Sequence, residues 1–148
     1  MTHPARSTGR IRILLTTLIA LALAGPLAAQ TPDEAAAKEM SDRWLTLVDD
    51  GDFEASWTEA GRIFQQSVAQ DGWTQQIAAL RQQVGEAERR EYVTAQSTSN
   101  PPGAPPGDYV SIQYRSEFST AGPAVEMVVL TREEGRGWRV VGYFLQPP

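Results

Sequence analysis

The spacing of the apolar residues changes once along the chain, and this change sets the order of its structural elements. Up to Val84 the large apolar residues recur every three to four positions, as in the stripe formed by Trp73, Ile77, Leu80 and Val84, which is the period of an amphipathic helix. From Tyr109 onward apolar and polar residues alternate, which is the period of a strand with one buried face. Helices followed by strands predict an α+β fold.

Capping and turn residues divide the helical half into three predicted pieces. Thr31 or Asp33 can cap the first helix, and the Asp-Asp-Gly-Asp segment 49–52 ends it and opens the second, which Gly61 interrupts. Asp71 and Gly72 precede the third helix, which Gly85 closes. The acidic segment 49–54 also suggests calcium, but it lacks the glycine and glutamate spacing of an EF-hand. We therefore interpret this segment as residues that end the first helix and cap the second.

The second half predicts an antiparallel meander. A polar strand falls within residues 87–97, and a loop at 97–108 follows, in which four prolines and two glycines prevent regular structure. Three further strands are predicted at 109–118, 124–131 and 138–145, joined by short turns. The expected architecture is a layer of N-terminal helices packed on a curved antiparallel β-meander.

The alternating pattern also predicts how the last strands pair. If Arg115 lies opposite Glu126 and Glu126 opposite Tyr143, the apolar set of each strand falls on one side. The face predicted to meet the helices comprises Val110, Ile112, Tyr114, Val125, Met127, Val129, Trp138, Val140 and Phe144. The outer face comprises Gln113, Arg115, Glu126, Val128, Leu130, Arg139, Val141, Tyr143 and Leu145. Because this outer face is too apolar for plain solvent surface, it predicts a partner, most simply a second copy of the chain.

Glu126 is the sharpest candidate for a functional residue. It interrupts an otherwise apolar strand, and a buried carboxylate needs a hydrogen-bonded or charged partner. The predicted register supplies Arg115 and Tyr143. We therefore take Arg115, Glu126 and Tyr143 as candidate ligand-binding or interface residues. The alternative is a cross-strand ion pair that only fixes the register.

The N-terminal residues have the order of an export signal. Arg6, Arg10 and Arg12 precede an apolar run from Ile13 to Ala24, and a Gly-Pro break and small residues follow. A membrane anchor is the alternative, but a spanning helix needs about 20 apolar residues, and this run has 12. We predict a signal peptide at residues 1–29, cleaved after Ala29, and a single periplasmic or secreted domain at residues 30–148, without stable membrane insertion.

Two missing residue types exclude several chemistries. The chain has no cysteine, and its only histidine is His3, within the predicted signal peptide. Zinc, copper and most iron sites depend on these side chains, so we expect no metal site and no cofactor. Ser-His and Cys-His nucleophile pairs are excluded as well. Any catalysis would have to use carboxylates, tyrosines, arginines or hydroxyls.

The charge balance argues against nucleic acid as a partner. Residues 1–29 hold three of the 13 basic residues and none of the 18 acidic ones, so the net charge of the remainder is −8. Nucleic-acid binding requires lysines and arginines that neutralise phosphates. Arg81 and Arg89 suggest either an anionic ligand or pairing with neighbouring carboxylates at the surface. Trp44, Trp57 and Trp73 lie on helical stripes and are interpreted as core residues.

The ordered set of aromatic, glycine and arginine positions resembles the domain-of-unknown-function 4019 family of small exported bacterial proteins. The residues that carry the resemblance are the Trp44–Trp57 segment, Trp73, Arg81, Gly85, Arg89, Pro105, Gly107, Tyr109, Val110, Phe118, Glu126 and the Trp138–Tyr143 ending. The resemblance implies an exported domain with a fold similar to the nuclear-transport-factor-like or cystatin-like cones. It implies no activity, so no catalytic residue is assigned from it.

Two functions remain open from the sequence. The first is a non-catalytic exported protein that binds a small molecule or an envelope protein. The second is a carboxylate-based hydrolase or isomerase of a cone-type fold, with Glu126 or an aspartate as the base. A deep cavity holding a carboxylate of raised pKa would favour the enzyme, and a packed interior would favour the binding protein.

Overall fold

The computed structural model describes residues 30–148, and the predictions for the export signal lie outside this range. Four helices come first: α1 (Pro32–Asp49), α2 (Phe53–Glu59), α3 (Arg62–Ser67) and α4 (Gln70–Val84). Four strands follow: β1 (Ala87–Ser99), β2 (Asp108–Phe118), β3 (Gly122–Glu133) and β4 (Gly137–Gln146). Within the described range, no helix combines the length and apolar character needed to cross a membrane.

The helix boundaries follow from local hydrogen bonding. Thr31 and Glu34 form a capping box at the start of α1, each side chain accepting from the backbone N–H of the other. Asp52 caps α2 by accepting from the N–H of Ala55. The segment 49–52 therefore ends α1 and caps α2, as predicted. The second predicted helical piece consists of the two short helices α2 and α3, separated at residues 60 and 61.

The strands form one antiparallel sheet in the order β1-β2-β3-β4. The helices pack on one face, and the core between the two layers is built mainly from large apolar side chains of α1, α4 and the inner positions of β2, β3 and β4. The predicted α+β fold, with N-terminal helices on an antiparallel meander, is confirmed.

The predicted pairing of β2 with β3 is wrong by one residue. Glu126 lies opposite Tyr114, and Arg115 lies opposite Val125. Because side chains alternate between the two faces, this shift exchanges the faces of β3. Ala124, Glu126, Val128 and Leu130 are buried against the helices, while Val125, Met127 and Val129 lie half-buried on the outer face.

A bulge in β4 also changes the predicted faces. Leu130 pairs with Val140 but Val129 pairs with Gly142, so Val141 is the extra residue. Trp138 and Val140 lie inside as predicted, whereas beyond the bulge Tyr143 and Leu145 point inward and Phe144 points outward. The predicted outer positions of Tyr143 and Leu145 and the inner position of Phe144 are therefore wrong.

The proline-rich loop between β1 and β2, residues 100–107, has an ordered conformation held by several hydrogen bonds. Asn100 exchanges two bonds with Gly107: its N–H donates to the Gly107 carbonyl at 2.8 Å, and its side-chain oxygen accepts from the Gly107 N–H at 2.9 Å. The Tyr109 hydroxyl donates to the carbonyl of Pro105 at 2.9 Å. These bonds hold the loop over the outer face, where Tyr109 is buried.

Candidate functional site

Glu126 on β3 is fully buried and accepts hydrogen bonds from side chains of the other three strands. Arg90 of β1 donates through Nε to Oε2 at 2.6 Å and through Nη2 to Oε1 at 3.1 Å. Ser116 of β2 donates to Oε2, and the Tyr143 hydroxyl of β4 donates to Oε1 at 2.7 Å. One carboxylate therefore connects all four strands on the helix-facing side of the sheet.

A second carboxylate and a second arginine extend this centre into the helical layer. Arg90 also binds Asp49, the last residue of α1, with Nη1 at 2.6 Å from Oδ2 and Nη2 at 3.2 Å from Oδ1. Arg81 of α4 lies with Nη2 at 3.1 Å from Asp49 Oδ1 and 3.9 Å from Glu126 Oε1. The first of these distances is an ion contact whose angle is unsuited to a hydrogen bond, so the buried guanidinium nitrogens of Arg81 have no hydrogen-bond partner among the described residues. Two arginines thus balance two carboxylates.

The protonation of this centre follows from its contacts. Burial alone would raise the pKa of Glu126, but the hydrogen bonds and positive charge of Arg90, with the hydroxyls of Ser116 and Tyr143, hold it below its ordinary value. Burial and the neighbouring Glu126 charge raise the pKa of Tyr143, so its hydroxyl remains a donor. Glu126 is therefore an ionised, fully occupied acceptor, which is the opposite of a poised general base.

The structure brings together two of the three predicted site residues. Tyr143 lies opposite Val128 and reaches Glu126 diagonally across the face that both share. Arg115 points outward, with 70% of its side chain exposed, and its nearest carboxylate is Glu91 at 3.9 Å. The bond expected between Arg115 and Glu126 does not form because the register places them on opposite faces.

Sequence reasoning missed Arg90, Asp49 and Ser116. Arg90 lies in a strand whose polar pattern gives no sign of a buried face, and it reaches Glu126 across β2. Asp49 was interpreted only as part of the segment that ends the first helix and caps the second. Arg81 was one of two arginines weighed as an anion ligand or a surface ion pair, and its place in the buried centre fits neither description. The available signal was the need of a buried carboxylate for a cation, which here comes from β1 and α4.

Aromatic side chains fill the space between the helices and the sheet. The Trp44 ring lies 5.8 Å from that of Trp73 and 5.7 Å from that of Tyr143, and Phe64 packs edge-on against Trp73 at 5.0 Å. Trp44 Nε1 donates to the Ser56 carbonyl at 2.7 Å, and Trp73 Nε1 donates to the Ser56 hydroxyl at 2.9 Å. Trp44 and Trp73 are core residues, as predicted, and are not free to stack on a ligand.

The opposite side of the sheet carries an accessible apolar depression, which we call the outer-face groove. Ser111, Val129 and Phe144 form its floor, Ile63 of α3 forms one wall, and Pro105 of the 100–107 loop forms the other. Its volume is about 640 Å³. Phe144 is 47% exposed, so the groove presents apolar surface directly to solvent.

Solved structures show likenesses to this fold at low sequence identity. Aln2 from a Streptomyces species is similar with a TM-score of 0.55 and 13% identity, covering 80% of this chain and 93% of that chain. A putative NTF2-like transpeptidase from Campylobacter jejuni gives 0.47 with 17% identity, covering 70% and 94%. A protein from Catenulispora acidiphila gives 0.49 with 9% identity, covering 76% and 88%. The likeness to Aln2 shows the fold alone.

Sequence comparison gives a family but no activity. No curated protein matches the chain. The model of a family described as "Protein of unknown function (DUF4019)" matches residues 40–143. This range contains all the residues of the Glu126 centre and most of the outer-face groove, including Ile63, Pro105 and Val129. The match covers more than half of the chain, and the protein therefore belongs to the DUF4019 family of proteins of unknown function.

Proposed function

We propose that this protein is an exported, non-catalytic binding domain whose binding surface is the outer-face groove. The observation that carries the proposal is the contrast between the two faces of the sheet. On the helix side, aromatic rings fill the interior and the carboxylate is neutralised. On the outer side, a groove of about 640 Å³ exposes Phe144. Concave and mainly apolar surface of this size is typical of ligand sites.

The contacts of the buried Glu126 centre indicate that it stabilises the fold, which leaves the outer-face groove as the candidate binding surface. Asp49, Arg81, Arg90, Glu126 and Tyr143 join the ends of two helices to three strands, and their charges cancel. The arginines also lie at the C-terminal end of α1, where positive charge is favourable. We therefore propose that Glu126 and Tyr143 hold the helical layer against the sheet and do not contact a ligand.

The alternative is a carboxylate-based hydrolase or isomerase. Such an enzyme needs a carboxylate that substrate can reach and that takes up a proton during the reaction. Glu126 is fully buried, and its pKa is held below the ordinary value. These two properties make Glu126 unsuitable as the base, and we therefore favour binding.

A homodimer through the outer face is a second candidate, favoured by the apolar row that continues beyond the groove. Val125 and Met127 lie half-buried on this face, next to Val129. Paired copies would cover such a row. Sedimentation velocity of the 30–148 chain separates the candidates: a monomer at micromolar concentration that still binds a ligand supports the groove as a ligand site.

The direct test compares two exposed apolar side chains on different parts of the sheet. Phe144 lies in the groove, whereas Val93, which is 43% exposed, lies at a bulge in β1 outside it. The measurement is a fluorescence titration of the 30–148 chain with N-phenyl-1-naphthylamine, a neutral apolar probe. Phe144→Ser should weaken binding about tenfold, because burying a phenyl ring is worth roughly 1.5–3 kcal/mol. Val93→Ser should leave it unchanged, and equal affinity of Phe144→Ser and the unmodified chain would refute the groove as the binding surface.

A further inference from the structure

We infer that the outer-face groove selects an uncharged, apolar small molecule, an inference that rests on the proposed binding function. None of its 14 lining residues carries a charge at neutral pH, although 21% of the residues of the chain are charged. A charged ligand entering this groove would lose hydration without gaining a counter-ion. A neutral apolar ligand loses little hydration and gains from burial, at roughly 25 cal/mol per Å².

A second groove on the same molecule shows that this lack of charge is a local property. It lies between α1 and the β3–β4 turn, has a volume of about 530 Å³, and is lined by Trp44 and Trp138. Its lining also includes Glu39, Arg43, Glu59, Arg136 and Arg139, with Arg43 paired to Glu39 and Arg139 paired to Glu59, both at 2.6 Å. The outer-face groove is similar in size but has no such rim.

The loop wall of the outer-face groove is held in place by hydrogen bonds within the protein itself. Asn100 and Gly107 close the base of the loop with two hydrogen bonds, and the Ser99 hydroxyl adds a third bond to Asp108 at 2.7 Å. Thr131 of β3 donates to the carbonyl of Asp108, the first residue of β2, at 2.9 Å and so fixes the point at which the loop enters the sheet. Pre-formed walls reduce the ordering entropy that binding would otherwise cost.

Size and polarity narrow the ligand class further. A volume of about 640 Å³ lies within the range of small-molecule pockets, roughly 300–1,000 Å³. Gln66, Ser67, Thr98 and Ser111 are the polar side chains of the lining apart from the Tyr109 hydroxyl, which donates to Pro105. Such a lining fits an apolar body that carries one or a few neutral polar groups, such as an amide, carbonyl or hydroxyl. The loop and α3 recess the floor, which favours a small molecule over the flat sheet of a second copy.

The test uses two probes of similar shape and different charge on the 30–148 chain: neutral N-phenyl-1-naphthylamine and anionic 8-anilinonaphthalene-1-sulfonate. The neutral probe should bind at least tenfold more tightly. Gln66→Lys places a positive charge on the exposed α3 wall and should tighten binding of the anionic probe several-fold. Gln76→Lys, an equal change on the exposed surface of α4 away from the groove, should have no effect.

Three results would overturn the inference. Anionic binding to the unmodified chain as tight as neutral binding, and lost in Phe144→Ser, would reject the ligand class while keeping the groove as a binding site. An equal response of the anionic probe to Gln66→Lys and Gln76→Lys would show that a counter-charge on the groove wall does not recruit an anion, and would reject the lack of charge as the basis of selection. A dimer that Phe144→Ser dissociates, without binding of either probe, would make a second copy the occupant. Failure of the proposed function would look different: the probes would bind, and Phe144→Ser would leave their affinity unchanged.

Discussion

Single residues decide which carboxylate of this chain is buried and how it is compensated. A glutamate within an apolar strand requires a partner, and this reasoning drew attention to Glu126. Tyr143 is one of its partners, although the predicted register placed both residues on the outer face and directly opposite each other. The same reasoning could not select Arg90, because the contact spans two strands and 36 positions of sequence. Arg115 was suitable only under a register that places it on the same face as Glu126. Local pattern therefore identifies a buried charge, whereas its counter-ion depends on tertiary packing.

Glu126→Gln should destabilise the protein by about 3 kcal/mol, because it leaves the buried arginines with one carboxylate in place of two. The loss should depend on pH with a definite sign. The pKa of Glu126 in the folded state lies below its ordinary value of 4.5, so its contribution is fully present above about pH 4.5 and disappears as the pH falls through the folded-state pKa. Urea unfolding from pH 7 to pH 3 should show the two proteins converging at acid pH.

The control for this prediction is Glu117→Gln. Glu117 also lies in the sheet but is exposed, so the substitution should change the free energy of unfolding by less than about 0.5 kcal/mol at every pH. A Glu126→Gln protein as stable as the Glu117→Gln protein at pH 7 would contradict the structural task that we propose for the centre.

At the scale of the elements, periodicity predicted the helices and strands but not the faces of β3 and β4. In β3 both alternating sets contain large apolar residues, Val125, Met127 and Val129 on one side and Val128 and Leu130 on the other. Hydrophobicity alone therefore does not fix the register. Placing the charged Glu126 outside was the favourable choice until Arg90 was known to neutralise it. The β4 bulge had a local signal in Gly142, because an isolated glycine inside a strand often marks an extra position, and the predicted register took no account of it.

The 100–107 loop should control probe affinity without controlling global stability. Asn100→Ala removes the side-chain acceptor of the Gly107 N–H and replaces a residue with φ of +50°, a backbone conformation that asparagine tolerates better than alanine. Amide hydrogen exchange in the loop should accelerate about tenfold, and binding of the neutral probe should weaken several-fold, while the global melting temperature stays within a few degrees.

The matched control is Gln82→Ala, which also removes a side-chain amide: Gln82 is exposed in the last turn of α4, whose end bonds the β2–β3 turn at the other end of β2 from the loop. It should change neither loop exchange nor probe affinity. If Asn100→Ala leaves loop exchange at the rate of the unmodified chain, these hydrogen bonds do not hold the wall of the groove.

At the scale of the whole molecule, residues 30–148 form two layers around one main core, without a disulfide because the chain contains no cysteine. The change in hydrophobic period was sufficient to predict this architecture. The outer-face groove could not be predicted, because it is assembled from α3, the 100–107 loop and residues of all four strands, which are distant from one another in sequence. Export remains a prediction from residues 1–29, and it has its own test.

The protein isolated from the envelope or medium of its natural host should begin at Gln30, as measured by N-terminal sequencing and intact mass. The physical reason is that the 12-residue apolar run is shorter than a membrane span and precedes small residues that suit signal peptidase. The 30–148 chain, expressed without residues 1–29, serves as the mass standard. Recovery of the protein from the cytosol with Met1 in place would contradict export.

The extra residue in β4 affects both the buried Glu126 centre and the outer-face groove, which lie on opposite faces of the sheet. Because Val141 is an extra, unpaired residue, the strand beyond it is turned over. The Tyr143 hydroxyl therefore reaches the buried carboxylate, and the Phe144 ring lies on the opposite face of the sheet. Loss of one residue here would move both aromatic rings at once, turning a phenyl group toward Glu126 and a phenol toward the groove. The two faces of this strand therefore depend on its length as well as on its residue types: a substitution changes one face at a time, whereas deletion of one residue changes both.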